Sequence, residues 1–283
     1  MLKLTNVKKN YPGFSLSCSL EVLPGHVTGL VGSNGAGKST TYKIILGLIR
    51  RESGTAEVFG KDAASLTADD RRNIGTVMAE SGFSGYLKVR DVEKILQAFY
   101  PAFDSAFFLQ KCRDSGIPLD KQIKDFSTGM KARLKVIAAV SHNARLLILD
   151  EPTAGLDVVA RDETLDILRD YMAQDENRAI LISSHISGDL ESICDDIYMI
   201  DSGSIVFHED TDRLLSDYAI LKTDREGYAK LDLQHILRRK EEPYGYSLLT
   251  DSKQFYCENY PWLAVENGSV DELILMMRKG EKT

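Results

Sequence analysis

In "GSNGAGKST", residues 32–40, three glycines sit among small polar residues and run straight into a lysine and two hydroxyls. The spacing Gly32-x-x-x-x-Gly37-Lys38-Ser39 is that of a phosphate-binding loop, and it follows an apolar run as such a loop must. Glycines let the backbone wrap an anion without Cβ clashes, so that successive N–H groups point inward. A helix beginning near Gly37 would add its positive end. Lys38 would reach the β- and γ-phosphates of a nucleoside triphosphate, and Ser39 would offer its hydroxyl to Mg²⁺.

A triphosphate site also needs hard oxygen ligands for Mg²⁺ and an oriented water. "RLLILDEPTAGLD" supplies both, because four apolar residues end in Asp150-Glu151, placing two acids at the carboxyl end of a buried strand. Asp150 would hold the Mg²⁺ shell and Glu151 would orient and polarise the attacking water. Strand ends commonly carry acids, and it is the phosphate loop that gives this pair its meaning. "AILISSH" repeats the arrangement and leaves His185 just past a strand end, on the same edge. A histidine there serves structure as often as chemistry; its chemical role would be hydrogen bonding to the γ-phosphate and water.

The elements that must position these groups are legible in outline. "VTGLV", "RLLILD" and "AILISS" are short, continuously apolar and bounded by polar residues, as expected of parallel strands covered on both faces. Helical spacing over about 42–49 and 161–172 alternates with them, which predicts an α/β fold with a parallel sheet. Before the loop, "LKLTNV" and the alternating "FSLSCSLEV" predict a small antiparallel sheet. Residues from about 85 to 142 contain no convincing strand, and "VRDVEKILQAF" and "MKARLKVIAAV" have helical periodicity, so this stretch reads as an inserted helical subdomain. The nucleotide-binding domain would span 1–216 and a small accessory domain 217–283, the latter ending in the helical "VDELILMMRKG". In that tail Trp262, Tyr256, Tyr260 and Leu263 are expected to form a small core.

Composition narrows the class. The 283 residues carry a formal charge of −7, which lacks the electrostatic footprint of a nucleic-acid binder. Cys18, Cys112, Cys194 and Cys257 show no paired spacing, so neither a zinc site nor a redox pair is indicated. The opening "MLKLTNVKKNY" lacks the apolar segment of a signal peptide, and no stretch approaches the roughly 20 apolar residues that cross a bilayer. Work at a membrane would need another chain to span it.

"FSTGMKAR", 126–133, decides between kinds of phosphate-loop protein. Ser127 is a candidate N-cap, and Gly129 removes bulk at a helix start whose free N–H groups could meet an anion. Lying shortly before "LLILDEP", this segment resembles the signature motif of ATP-binding cassette (ABC) proteins. The resemblance covers roughly residues 1 to 210, with motifs in family order. Tyr11 matches the aromatic residue that stacks on adenine. Gly32, Ser33, Asn34, Gly35, Ala36, Gly37, Lys38, Ser39 and Thr40 match Walker A. Ser127, Thr128, Gly129 and Met130 fall in the signature, Asp150 and Glu151 end Walker B, Asp157 closes the D-loop, and His185 is the switch histidine.

What the resemblance implies is a P-loop NTPase with a RecA-like core, binding ATP and Mg²⁺ and hydrolysing ATP. Two copies, or one copy and a paralogous ATPase, would face head to tail with each nucleotide between Walker A of one and the signature of the other. The partner would be a separately encoded multi-pass permease, holding the chain at the cytoplasmic face of the membrane through the helical subdomain around residues 81–92. The stretch "AFYPAFDSAFFLQKCRDSGIPLDKQIKDFSTGMKARL" is similar to the helical region of bacterial ABC-2 exporters, especially those moving antimicrobial or amphipathic peptides such as phenol-soluble modulins. The chain departs from the family where a Q-loop glutamine should follow "NIGTV" and Met78-Ala79-Glu80-Ser81 stands instead. Glu80 would replace it as an oxygen ligand for the metal, or is a plain surface acid. The rival reading is a soluble ABC ATPase acting on the ribosome or nucleic acid, whose relatives usually carry paired cassettes or a long coiled coil that this chain lacks. A metabolic kinase or GTPase would leave "STGMK" unexplained.

Overall fold

The computed structural model describes residues 1–79 and 81–281. The chain opens with β1 (Leu2–Tyr11) and β2 (Phe14–Val22), an antiparallel pair in which Leu16, Cys18, Leu20 and Val22 are buried and alternate residues are not. β3 (Val27–Val31) is buried at every position. It feeds the phosphate loop and α1 (Lys38–Ile45), which ends at Ile45 rather than near 49. Gly47 ends it: its φ is +66°, and a Cβ there would lie 2.6 Å from the Ala63 carbonyl oxygen, so the chain turns left-handed where only glycine fits. β4 (Ser53–Val58) pairs with β1 and with the short β5 (Lys61–Asp62), completing the antiparallel corner of the sheet. α2 (Ala68–Arg72) starts on a capping box between Thr67 and Asp70 and leads into β6 (Ile74–Val77).

Three helices follow, α3 (Val89–Phe99), α4 (Ser105–Asp114) and α5 (Thr128–Val140), with no named strand among the described residues until β7 (Leu146–Asp150). They bury Val92, Phe108, Cys112, Leu134 and Ile137 in one cluster that continues onto the sheet. α6 (Val158–Met172), β8 (Ala179–Ser183), α7 (Ser187–Ile193), β9 (Asp196–Asp201), β10 (Ser204–Asp210) and α8 (Thr211–Ser216) complete this part. The sheet runs β5-β4-β1-β2-β10-β9-β3-β8-β7-β6. β9, β3, β8, β7 and β6 are parallel neighbours, and the antiparallel corner joins them through the Ser204–Ser17 bridge between β10 and β2. Successive residues of β7 face opposite layers, so Leu147 and Leu149 pack with α5 and α6 while Leu146 and Ile148 pack with Tyr42, Ile44 and Ile45 of α1. That is why β7 and β8 are apolar up to their last residue. Each such buried aliphatic contributes about 1.5–3 kcal/mol of transfer free energy.

The tail forms a second sheet of β11 (Ala219–Thr223), β12 (Ile236–Glu242), β13 (Gly245–Thr250) and β14 (Ala264–Glu266), ordered β12-β13-β11-β14 and antiparallel throughout. Short helices α9 (Arg225–Tyr228) and α10 (Lys253–Asn259) lie within this stretch, and α11 (Val270–Lys279) ends it. On one side Ala219, Leu221, Leu248, Tyr256 and Leu263 make a separate small core. Trp262 stays out of it: the indole is 52% exposed, edge-on to Tyr260 at 6.1 Å. On the other side Ile220 and Leu249 join α11, whose Val270, Leu273 and Met276 belong to the main cluster with Ile197 and Met199 of β9. The last helix is thus shared between the two units. No described helix is long and apolar enough to cross a membrane.

Candidate active site

The phosphate loop sits where β3 leaves the sheet. Gly37 takes φ +119° as the residue before α1, and a Cβ on it would meet Ile200 and Leu16 side chains at 3.0 Å. A Cβ on Gly32 would lie 2.3 Å from the Ile200 carbonyl oxygen, so the loop's first residue is pinned against β9. Crowding demands glycine at both positions, and at Gly37 the backbone geometry does so too. The turn between β9 and β10 buttresses the loop from behind, with Gly203 N donating to Ala36 O at 2.9 Å.

A cleft of about 300 Å³ opens over the loop, lined by Ser33, Asn34, Gly35, Gly37, Lys38, Ser39, Thr40, Ala79, Asp150, Glu151 and Phe14. Lys38 is 6% exposed, and its ammonium donates to Gly32 O at 2.5 Å and lies 3.8 Å from Glu151 Oε1. Ser39 Oγ donates to Asp150 Oδ2 at 3.0 Å. A serine hydroxyl and a carboxylate converging beside a phosphate-sized cradle are the hard oxygen donors Mg²⁺ takes, so this donor set fits that ion.

The two acids need different backbones to share one edge. In an extended strand Glu151 would point away from Asp150. Glu151 instead has φ +53°, a left-handed conformation that costs a non-glycine residue about 1–2 kcal/mol. Ser183, last in β8, holds it there: Glu151 N donates to Ser183 O at 3.2 Å and to Ser183 Oγ at 3.1 Å. The same hydroxyl donates to Asp150 Oδ1 at 2.8 Å. Glu151 Oε2 then accepts from His185 N at 3.1 Å and meets His185 Nδ1 closely. One carboxylate, one imidazole and one ammonium are thereby assembled at the ends of three elements.

A second, buried layer lies beneath. Asp189 of α7 is 2% exposed and accepts from Thr153 Oγ1 at 2.5 Å and Ser184 Oγ at 3.3 Å, with Arg161 Nε 3.6 Å from its other oxygen. Thr153 lies two residues after Glu151 in the same turn, and Ser184 directly precedes His185. Ser183, Thr153, Ser184, Asp189 and Arg161 escape a reading of the sequence. The only trace they leave is hydroxyls beside the acids and histidine, in "DEPT" and "SSH".

The other sequence-derived residues lie elsewhere. Ser127 caps α5, accepting from Met130 N at 3.2 Å, and is exposed together with Thr128. A Cβ on Gly129 would meet Leu156 at 3.2 Å, so the signature packs on the D-loop of its own chain. Met130 packs partly buried against the main cluster. Asp157 caps α6 through Ala160 N at 2.9 Å, and Val158 and Val159 after it are 75% and 68% exposed. None of these lines the cleft. Tyr11 does not line it either; its ring stands 6.5 Å from that of Phe14, which does. Glu80 lies outside the described residues. Among the cysteines, burial pushes Cys18 and Cys112 up to about 12 and raises Cys194 well above the usual thiol value, so none of the three is a nucleophile.

Comparison with known proteins agrees with this geometry. The profile of the family described as ABC transporter matches residues 16–154. The lantibiotic transport ATP-binding protein SrtF of Streptococcus pyogenes is 34% identical over 216 residues, covering 75% of this chain and 92% of that protein. The chain is an ABC transporter ATP-binding protein. The cassette is also similar to the bacitracin transport ATP-binding protein BcrA of Bacillus licheniformis, at 33% identity over 73% of this chain and 68% of that one. The ABC transporter ATP-binding protein YtrB of Bacillus subtilis is 30% identical, over 77% and 75%. Among solved structures, an ATP-binding subunit of an ABC transporter superposes with TM-score 0.68 and 25% identity, covering 76% of this chain and 91% of that one. A cassette in a dimeric post-hydrolysis state superposes at 0.66 and 19% identity, over 75% and 99%, which shows the shared fold. The cassette is accordingly an ATPase.

Proposed function

We propose that the chain is the ATP-hydrolysing subunit of an exporter whose permease is a separate membrane-spanning chain, and that two copies close head to tail on ATP. The observation that carries this is the division of the motifs: the Walker groups line the cleft, while the capped, exposed start of α5 and the exposed Asp157-Val158-Val159 do not. Such groups complete a site only on another copy. A second helix N-terminus would then meet the open side of the triphosphate, so closure would depend on the γ-phosphate and loosen on its loss.

Within one cleft, Lys38 and the loop N–H groups would hold the β- and γ-phosphates, and Phe14, which lines the cleft, would offer its ring to the base. Ser39 and Asp150 would hold Mg²⁺, which supplies neutralising charge to the phosphate oxygens when bound. Glu151, fixed by Ser183 and His185, would orient the attacking water and take its proton, with His185 hydrogen-bonding the γ-phosphate. The relatives named for lantibiotic and bacitracin transport support an antimicrobial or amphipathic peptide as cargo. The permease would dock on the helical subdomain, which carries a crevice of about 210 Å³ lined by Ser81, Phe83, Leu96 and Tyr100 and an exposed Tyr86.

The test is complementation in trans. A Ser127→Arg chain and a Lys38→Ala chain should each be inactive alone; mixed, they should regain ATPase activity, because the mixed dimer holds one intact composite site. No recovery in the mixture would overturn sharing between copies.

A further inference from the structure

The polar layer beneath Glu151 and His185 continues into the tail. Ser187, two residues past His185 and first in α7, donates Oγ to Asp271 Oδ2 at 2.9 Å. One turn on, Glu191 Oε1 accepts from Val270 N at 2.8 Å. Both contacts come from the first turn of α11, so the last helix grips α7 at two successive turns. α7 itself has seven residues and no side-chain cap at its start, and a helix that short has little stability of its own. Its other face carries Asp189, bonded to Thr153 and Ser184. α7 is therefore a splint, tied on one side to the segments bearing Glu151 and His185 and on the other to the C-terminal unit.

We propose that Asp271 is a positioning residue for ATP hydrolysis: by holding Ser187 it keeps the segment bearing His185 set against Glu151, so that the C-terminal unit governs turnover at a cleft it does not line. This rests on the reading that Glu151 and His185 serve the hydrolytic step. The contact acts on the alignment of the pair and not on the phosphate cradle, whose buttress is the β9–β10 turn. Rate and nucleotide affinity should therefore separate.

The experiment is steady-state ATPase kinetics on the full chain, with binding of a fluorescent ATP analogue and thermal melting measured alongside. Asp271→Ala should lower kcat about fivefold, the rate change matching one net hydrogen bond, with KM and analogue affinity unchanged. Ser187→Ala should do the same, and the double variant should be no slower than either single, since both remove one contact. Asp271→Asn, which keeps an acceptor oxygen, should recover most of the rate. Glu281→Ala, which cuts the Arg239–Glu281 ion pair inside the C-terminal unit, is the control and should leave kcat alone. Full turnover in Asp271→Ala overturns the proposal, as does a loss that is additive with Ser187→Ala or that falls equally on kcat and analogue affinity. Glu151→Gln separates the two readings: full turnover there overturns both, whereas slow turnover there with full turnover in Asp271→Ala overturns the positioning role alone.

Discussion

In the proposed dimer the Walker cleft and the signature segment would complete one site, and they are built in opposite ways. In the cleft, Ser39, Asp150, Ser183, Glu151, His185 and Lys38 are linked contact to contact, each held by a neighbour in the same chain. At the start of α5, Ser127 satisfies only its own helix, and beyond the D-loop two valines face outward. The finished half positions charge; the open half offers helix N–H groups and apolar surface that gain partners on association. In the proposed dimer, dividing the two halves between copies would let the nucleotide govern assembly.

The contrast can be broken most directly at the finished half. Glu151→Gln should slow ATP turnover by about 10² or more while ATP still binds, because the amide keeps the shape and loses the base. Turnover at the wild-type rate would remove Glu151 from that role. Lys38→Ala should act on binding itself, weakening ATP affinity about thirtyfold, as expected for losing a charge-assisted contact to phosphate. Isothermal titration checks this, and unaltered affinity would mean the cradle binds through its backbone alone. The open half should respond through assembly. Val158→Asp lies at the exposed first position of α6, where an acid suits the helix dipole, so stability should change by less than about 0.5 kcal/mol. ATP-dependent dimerisation of the hydrolysis-blocked protein should nevertheless weaken about tenfold, from burying a charge in an apolar contact. Sedimentation that shows the same dimer fraction with and without Val158→Asp would place this surface outside the interface.

Much of the parallel core was legible because buried strands are short and continuously apolar up to their last residue, as in "LLILD" and "AILIS". The phosphate loop was legible for a local reason too, since its chemistry is carried by consecutive residues. Helix limits were less so: α1 stops at Gly47 because of the Ala63 carbonyl, a residue from a distant turn. Trp262 read as core from composition, yet it stays half exposed because the small core closes on Tyr256 and Leu263 without it.

For the site, the order and spacing of residues by themselves singled out Lys38 as the expected phosphate contact, Ser39 as an expected metal ligand, and the acids and histidine at strand ends. Only the tertiary structure decided that Glu151 turns left-handed to stand beside Asp150, that Ser183 holds both, that Phe14 rather than Tyr11 lines the cleft, and that Asp271 reaches Ser187 from the far end of the chain. The physical reason is range. A motif writes down covalent neighbours, whereas these contacts join residues brought together by strand order and helix packing, between which the sequence holds no fixed spacing to read.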